Sequence, residues 1–593
     1  MFFTTIESSI TNSGTRRALL AAGLCLLAAA GGAADASGKD YGPCPQIRFS
    51  GAARIELTPM EVRLVCGDPA TEGWEKIPFN QAERYLKAFL QQRGYQEPRF
   101  VPGLAVLVVY PGGRTKVETF TVAGLPPGLD PRKLRKIKGR ILTPELLDSA
   151  KAALSAALQH RGYACPAAEL RANSTTGEVS AEVRPGEIYR FAHISAGETP
   201  GPELGLFRRY EAFRPGQRFD PRLLELTARR TMADSVFMSA YFDVACSTAG
   251  LAVTGRVVAG KPQLYRLGFG FDTEGLLLAR AQWQNSRLGT RAHSAQASLY
   301  ASFREQTAVT SFKYYTGGGS RFYLMPRLTF SRQNEDQYEA LSGEAALLPG
   351  FSWDSRVLHG EFTAGPALEH VDTVRGLGPD SRYTAFETRL ELRSHLFEYY
   401  AGDPRTGWRA SLTAQSRVAG IYSGIEAHRL DFQGERIWNL GSYEPPLLVL
   451  ATRWQGRTTL VKDSLAAAGE LPLDMRYFLG GDSDLRGARR LGVPGDPVGL
   501  LTTLYDGVEL RLGDVLPYRL QPLVFVDAAM GGRSSLKLDP NVYWSPGFGV
   551  RWGSPVGSVR ATLARGLVWR RDPAAEVLLT PQWRFFLSLG REF

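Results

Sequence analysis

Trp583-Arg584-Phe585-Phe586-Leu587-Ser588-Leu589-Gly590-Arg591-Glu592-Phe593 closes the chain, and its alternation decides the fold. Trp583, Phe585, Leu587 and Leu589 fall on one side; Arg584, Phe586, Ser588 and Gly590 fall on the other. A period of two is the mark of a strand with two unlike faces. Reading backward, similar segments lie near 577, 556, 543, 519, 501, 446, 427, 406, 382, 355, 337, 321, 307, 291, 277 and 264. That is about sixteen strands, and an even number suits a closed membrane barrel. Turn-forming residues sit between them, as at Gly317-Gly318-Gly319, Asp403-Pro404, Gly441-Ser442 and Ser554-Pro555-Val556-Gly557. A propeller would need a signature repeated every 40 to 50 residues, roughly one per blade, and none is present. Aromatics cluster near the strand ends, where an interfacial girdle belongs.

One gap between strands is too long for a turn. About forty residues, 462–500, separate two alternating segments. At its centre is Met475-Arg476-Tyr477-Phe478-Leu479-Gly480-Gly481-Asp482-Ser483-Asp484-Leu485-Arg486-Gly487, continuing to Gly492. Paired glycines permit a sharp turn or a close approach, and Arg486 follows on a segment too Gly-rich for a helix. Beyond the gap, Leu523-Val524-Phe525-Val526-Asp527 is apolar except for its acid. Alternation puts Phe525 and Asp527 on one face, which must be the lumen if Asp527 is to avoid lipid.

Upstream of Leu264 the pattern is different. The strand ends Phe49-Ser50-Gly51, Val122-Ala123-Gly124 and Ser195-Ala196-Gly197 recur at equal spacing. Each precedes a helical stretch, the first two closing on Arg93-Gly94-Tyr95 and Arg161-Gly162-Tyr163, and the third is read as ending at Ala240-Tyr241-Phe242. Thr143-Pro144 and Asp220-Pro221 are cap-and-proline helix starts. Leu146, Ala150, Leu154 and Leu158 form one apolar stripe. Two short strands follow each helix, so the expectation is an array of three α+β modules.

Residues 1–36 read as a secretory signal: Arg16-Arg17, an apolar run from Ala18 to Ala30, and an Ala34-Asp35-Ala36 cleavage site. The mature chain would keep Cys44, Cys66, Cys165 and Cys246 in an oxidising compartment. Four cysteines allow three pairings. Cys44–Cys66, close together in one module, is the favoured disulfide, with Cys165 and Cys246 expected to be unpaired or buried.

The net charge of +11 comes without a clustered Lys/Arg run, which argues against nucleic acid and suits anionic lipid headgroups. Hydrolase, zincin, P-loop and C-x-x-C motifs are missing, and the seven His are scattered. The expectation is no enzyme, no cofactor and no metal.

Three features together resemble the BamA/TamA superfamily of outer-membrane assembly barrels. They are the loop motif Gly480, Gly481, Arg486 and Gly487, the strand with Phe525 and Asp527, and Gly547-Phe548-Gly549-Val550-Arg551-Trp552-Gly553-Ser554-Pro555. The terminal Phe593 likewise resembles an outer-membrane sorting signal, although Arg591 stands where an apolar residue is usual. Ala488 stands where the family has an aromatic. Three modules before a barrel are most like the TamA branch. The resemblance implies an α+β POTRA array followed by an all-β 16-stranded antiparallel transmembrane β-barrel. The divisions would be signal 1–36, POTRA modules 37–115, 116–187 and 188–263, and barrel 264–593 with the loop folded inward.

It further implies that Arg486 meets Asp527 in the lumen. The function would be that of an outer-membrane insertase for β-barrel clients, particularly autotransporters. The partners would be those clients, a periplasm-spanning inner-membrane protein of the TamB type, and outer-membrane lipid. Client strands would enter at a seam formed by Gly268, Phe269 and Gly270 with Leu587, Gly590 and Phe593, where glycine weakens cross-strand contact. The rivals are a two-partner secretion pore and a passive porin or receptor.

Overall fold

The computed structural model describes residues 46–589 apart from 51–54, 69–76, 130–136, 196–205, 207, 318–320, 397–404, 419, 421–424, 442–446, 463–470, 514–515, 555–556 and 575. The signal reading and Cys44, Gly590 and Phe593 therefore fall outside the described residues.

Three α+β units come first, and they share one topology. In the first, strand Ile47–Phe49 runs parallel to Leu107–Tyr110, which pairs on its other side with Arg99–Pro102. In the second, Thr119–Ala123 runs parallel to Glu178–Arg184, which pairs with Ala167–Ala172. In the third, Ser195 makes a parallel bridge to Thr254 in Gly250–Ala259, which pairs with Phe237–Ser247. Helices Phe79–Gln92, Pro144–Gln159 and Pro221–Ala233 cross between the first strand and the hairpin. Thr143 and Asp220 cap the latter two by accepting backbone N–H groups. The stripe Leu146, Ala150, Leu154 and Leu158 is buried against Val179, Ala181 and Val183 of the sheet.

The Arg-Gly-Tyr turns are the joints between units. Gly94 and Gly162 have φ of +90° and +89°, which side-chain-bearing residues rarely adopt. Each glycine carbonyl accepts a backbone N–H from the entry to the next unit, Thr115 at 3.0 Å and Tyr189 at 2.9 Å. A Cβ on Gly94 would run into Ile141, and one on Gly162 into Arg218. The third unit differs from the sequence reading. Ala240-Tyr241-Phe242 lies inside the strand Phe237–Ser247, and the helix ends at Ala233. Its joint is Asp234-Ser235, with Ser235 at φ +57°. Small β-branched and aromatic residues after 236 favour strand over helix there.

The cysteines also differ. Cys165 of the second unit is disulfide-bonded to Cys246 of the third, 81 residues away. The two looked unrelated in sequence because only the joint brings them together. Ala164, next to Cys165, is buried in the third unit's core with Phe191, Phe213 and Leu251. Cys66 is disulfide-bonded as well.

The barrel begins at Gln263. Successive antiparallel strands run around a closed sheet back to the first. Leu567–Trp569 continues Gly557–Arg565 across a break at Gly566, since both pair with Val542–Ser554 in one register. Counted so, the barrel has sixteen strands. Its lipid face is apolar: Leu328 and Phe330, Leu430 and Phe432, Val524 and Val526 are exposed at alternate positions. Their neighbours Arg327, Arg429, Phe525 and Asp527 turn inward.

The third unit is bolted to the barrel's nearer rim. Asp234 accepts hydrogen bonds from Tyr210 at 3.0 Å and from Tyr315 of the barrel at 3.2 Å. The Arg209 guanidinium lies 4.0 Å from the Tyr315 ring centroid. Arg356 of the barrel pairs with Asp220 at 3.0 Å, and Ser286 Oγ donates to the Ser235 carbonyl at 2.8 Å.

Candidate functional site: the lumen loop and the seam

Three consecutive strands, Thr502–Gly513, Leu520–Gly532 and Val542–Ser554, build one side of the lumen wall. Alternation turns Tyr505, Glu509 and Arg511, then Phe525 and Asp527, then Tyr543 and Ser545 inward. Register brings Glu509 opposite Phe525, and Asp527 opposite Ser545. Gly547 stands opposite Phe525 and leaves room for its ring.

The loop before these strands folds back into that wall. Gly480 and Gly481 both have φ of +115° and turn the chain inward. Asp484 fastens the turn by accepting the backbone N–H of Gly480 at 2.7 Å and of Leu485 at 2.5 Å. Arg486 is fully buried at the tip. Its Nε and Nη2 donate to the two oxygens of Asp527, each at 2.8 Å, a bidentate pair. Its Nη1 donates to Glu509 Oε2 at 2.6 Å, and its guanidinium lies 3.3 Å from the Phe525 ring centroid. Glu509 also accepts from Arg511 at 2.7 Å. Two cations and two carboxylates thus close a neutral buried set, which is what makes burial of four charges tolerable.

Gly487 follows, and its N–H donates to Ser545 Oγ at 2.9 Å. A Cβ there would stand 2.5 Å from Gly566 Cα. Loop tip and wall meet glycine on glycine at the break in the fifteenth strand. Around this point Tyr477, Leu479, Leu485, Ala488 and Val493 form an apolar core with Tyr505, Tyr543 and Leu579. Ala488 is fully buried in it. Two further pairs hold the flanks: Asp482 with Arg560 at 2.6 Å, and Arg490 with Glu335 at 2.7 Å.

Glu509, Asp482, Arg560 and Glu335 were absent from the sequence reading. Val508-Glu509-Leu510-Arg511 carried the signal for one of them, since its alternation puts both charges on the lumen face. The others depend on where a long loop lands, which no local pattern encodes.

The seam closes the barrel between Gln263–Asp272 and Trp583–Leu589. Among the described residues it consists of two pairs, Ser588 with Asp272 and Leu589 with Phe271. The first strand makes ten pairs with its other neighbour, and the last makes seven. Gly270 lies against the Leu589 carbonyl, where a Cβ would approach to 2.5 Å. Leu587 sits beside Thr273, whose N–H donates to its carbonyl at 3.0 Å. Gly268 and Phe269 face Arg280 and Ala279 of the second strand. The register is therefore offset from a direct Phe269–Leu587 apposition.

A closed sixteen-stranded wall, a long loop returned into the lumen, and a buried Arg-Gly tip coincide with one domain profile, which matches residues 398–593. The chain carries an Omp85 superfamily domain. Omp85 barrels lie in the outer membrane with POTRA domains in the periplasm, and this barrel is placed likewise, its α+β units on the periplasmic side. The loop is then extracellular in origin, because it follows the eleventh strand, Leu447–Leu460, and the first strand starts on the module side. The fold is also that of BamA from Haemophilus ducreyi lacking POTRA domains 1–3, with a TM-score of 0.54. Identity is 14%, over 79% of this chain and 98% of that one. CdiB from Acinetobacter baumannii aligns at 12% identity over 80% of this chain and 89% of that one, with a TM-score of 0.49.

Proposed function

We propose that this Omp85 protein is an outer-membrane insertase of the TamA kind. Its three periplasmic units would be POTRA modules that receive extended β-barrel clients, autotransporters among them. The barrel would then pass client strands into the membrane at its seam. The observation that carries this reading is the seam, which among the described residues is joined by two pairs, beside neighbouring interfaces that are long ladders. A seam that parts here would offer backbone donors and acceptors to an incoming strand, and β-augmentation needs no more than that. A fixed loop occupying the lumen suits a wall that works at its edge better than a pore that works through its middle. A periplasm-spanning partner of the TamB type would deliver clients to the first module.

The test is a cross-link placed by the observed register. Phe271→Cys with Leu589→Cys should lock the seam when oxidised, and insertion of a β-barrel client into proteoliposomes should stop and resume on reduction. Full insertion with the cross-link complete would sink the gate. A large open conductance in planar bilayers, with no client insertion, would instead indicate a secretion pore or porin.

A further inference from the structure

At the extracellular end of the last three strands, the lipid face carries a group of side chains that the insertase reading does not use. Trp544, Trp569 and Trp583 point outward and are exposed, by 37, 60 and 57%. Trp544 pairs with Leu567 across the ladder and so lies diagonally between Arg565 and Trp569. Trp583 pairs directly with Arg565. Arg565 lies over the Trp583 ring with its guanidinium carbon 5.9 Å from the centroid, and Arg571 lies over Trp569 at 4.8 Å. Arg570 is exposed beside them.

Tryptophan at this depth is ordinary, because the indole seats itself at the headgroup boundary. The arginines are not explained that way. Among the described residues, Arg565, Arg570 and Arg571 have no carboxylate partner, whereas Arg486, Arg490, Arg533 and Arg560 of the same region are each ion-paired. A guanidinium lying over an indole is oriented, with N–H donors still free at its edge. The two guanidiniums stand on one outer face, with Arg565 and Trp569 about 13 Å apart along the strand, so each can take a separate phosphate. What faces them is the outer leaflet of the outer membrane.

We propose that this patch is a binding site for a phosphorylated glycolipid of that leaflet. Arg565 and Arg571 would each take one phosphate of a bisphosphorylated headgroup, Arg570 would reinforce the charge, and the Trp rings would lie along the sugar and the upper acyl chains. The site stands on the outer face of the strand whose inner face touches Gly487, and one strand away from the seam. It does not depend on the insertase reading, since it requires only a membrane-embedded barrel.

The experiment is native mass spectrometry of the full-length protein in detergent, with lipid A 1,4′-bisphosphate as the probe. Wild type should retain the lipid, and Arg565→Gln with Arg571→Gln should reduce retention about tenfold, the scale expected for losing two charge-assisted contacts. Both positions face lipid, so the variant should fold; heat-modifiability on gels verifies this. Dephosphorylated lipid A should not compete. Equal retention by wild type and variant, or equal binding of the dephosphorylated lipid, would overturn the site. Retention of phosphatidylglycerol as strong as that of lipid A would overturn the glycolipid assignment.

Discussion

Arg486 has three acceptors on two carboxylates and an aromatic face beneath it, so no other side chain can replace it. Arg486→Ala leaves Asp527 without its bidentate partner and Glu509 with Arg511 and Arg560 as its near cations, and removing one partner of a buried pair costs about 3–5 kcal/mol. The barrel's unfolding midpoint should fall, and a cysteine placed at Ala488, fully buried in the intact loop, should become reactive to extracellular maleimide. Arg486→Lys should behave nearly as badly, because an ammonium cannot make the bidentate contact. Gly487 is as constrained for the opposite reason, lack of space. Gly487→Ala would push into Ser545 and Gly566, costing about 1–3 kcal/mol as overpacking does; thermal unfolding of the variant measures it, and an unchanged midpoint would show that the wall yields. Arg486 and Asp527 were each legible in sequence by context, an arginine after paired glycines and an acid in an apolar strand; that they meet was what the family resemblance implied. Glu509 was half legible, since alternation gave its face but nothing gave its partner.

Strands and joints differ in how much of themselves they write into sequence. Strand starts could be placed within a few residues because a lipid face and a lumen face impose a period of two on every segment. The joints could not, because they are tertiary. Arg-Gly-Tyr appeared as a recurring end signal, but that Gly94 and Gly162 receive the next unit's backbone emerges only from the fold. The misplacement at Ala240-Tyr241-Phe242 has the same root: a chance likeness in a strand outweighed a turn written as Asp234-Ser235. Gly94→Ala and Gly162→Ala should each loosen their joint without unfolding the unit. Spin labels on helices Phe79–Gln92 and Pro144–Gln159 should show a broader distance distribution in Gly94→Ala than in wild type. An unaltered distribution would mean that Ile141 moves aside.

On the scale of the whole molecule the periplasmic arm is unevenly jointed. The first joint rests on backbone hydrogen bonds and Gln96, whose amide donates to the Leu142 carbonyl at 2.6 Å. The second has the Cys165–Cys246 bond across it, and the third the Asp234 network with Arg209 and Tyr315. Reduction of the disulfide, or Cys165→Ser with Cys246→Ser, should therefore lower the stability of the second and third units by up to roughly 4 kcal/mol on the chain-entropy model, leaving the barrel's own melting unchanged. Calorimetry with and without reductant would separate the two transitions. The bond has a further meaning once the arm is regarded as a mechanical linkage. On the insertase reading a client drawn outward would pull on whatever holds it, and a tether lengthens by unravelling its weakest span. With residues 165 and 246 fused, the loop between them, a sequence separation of 81, cannot be paid out under tension. That withholds roughly 28 nm of slack, at about 3.5 Å per residue, more than the arm could lose and still transmit a pull. Under load the oxidised arm should yield first at the Gly94 joint, so that force applied to the first unit reaches the barrel rim undiminished.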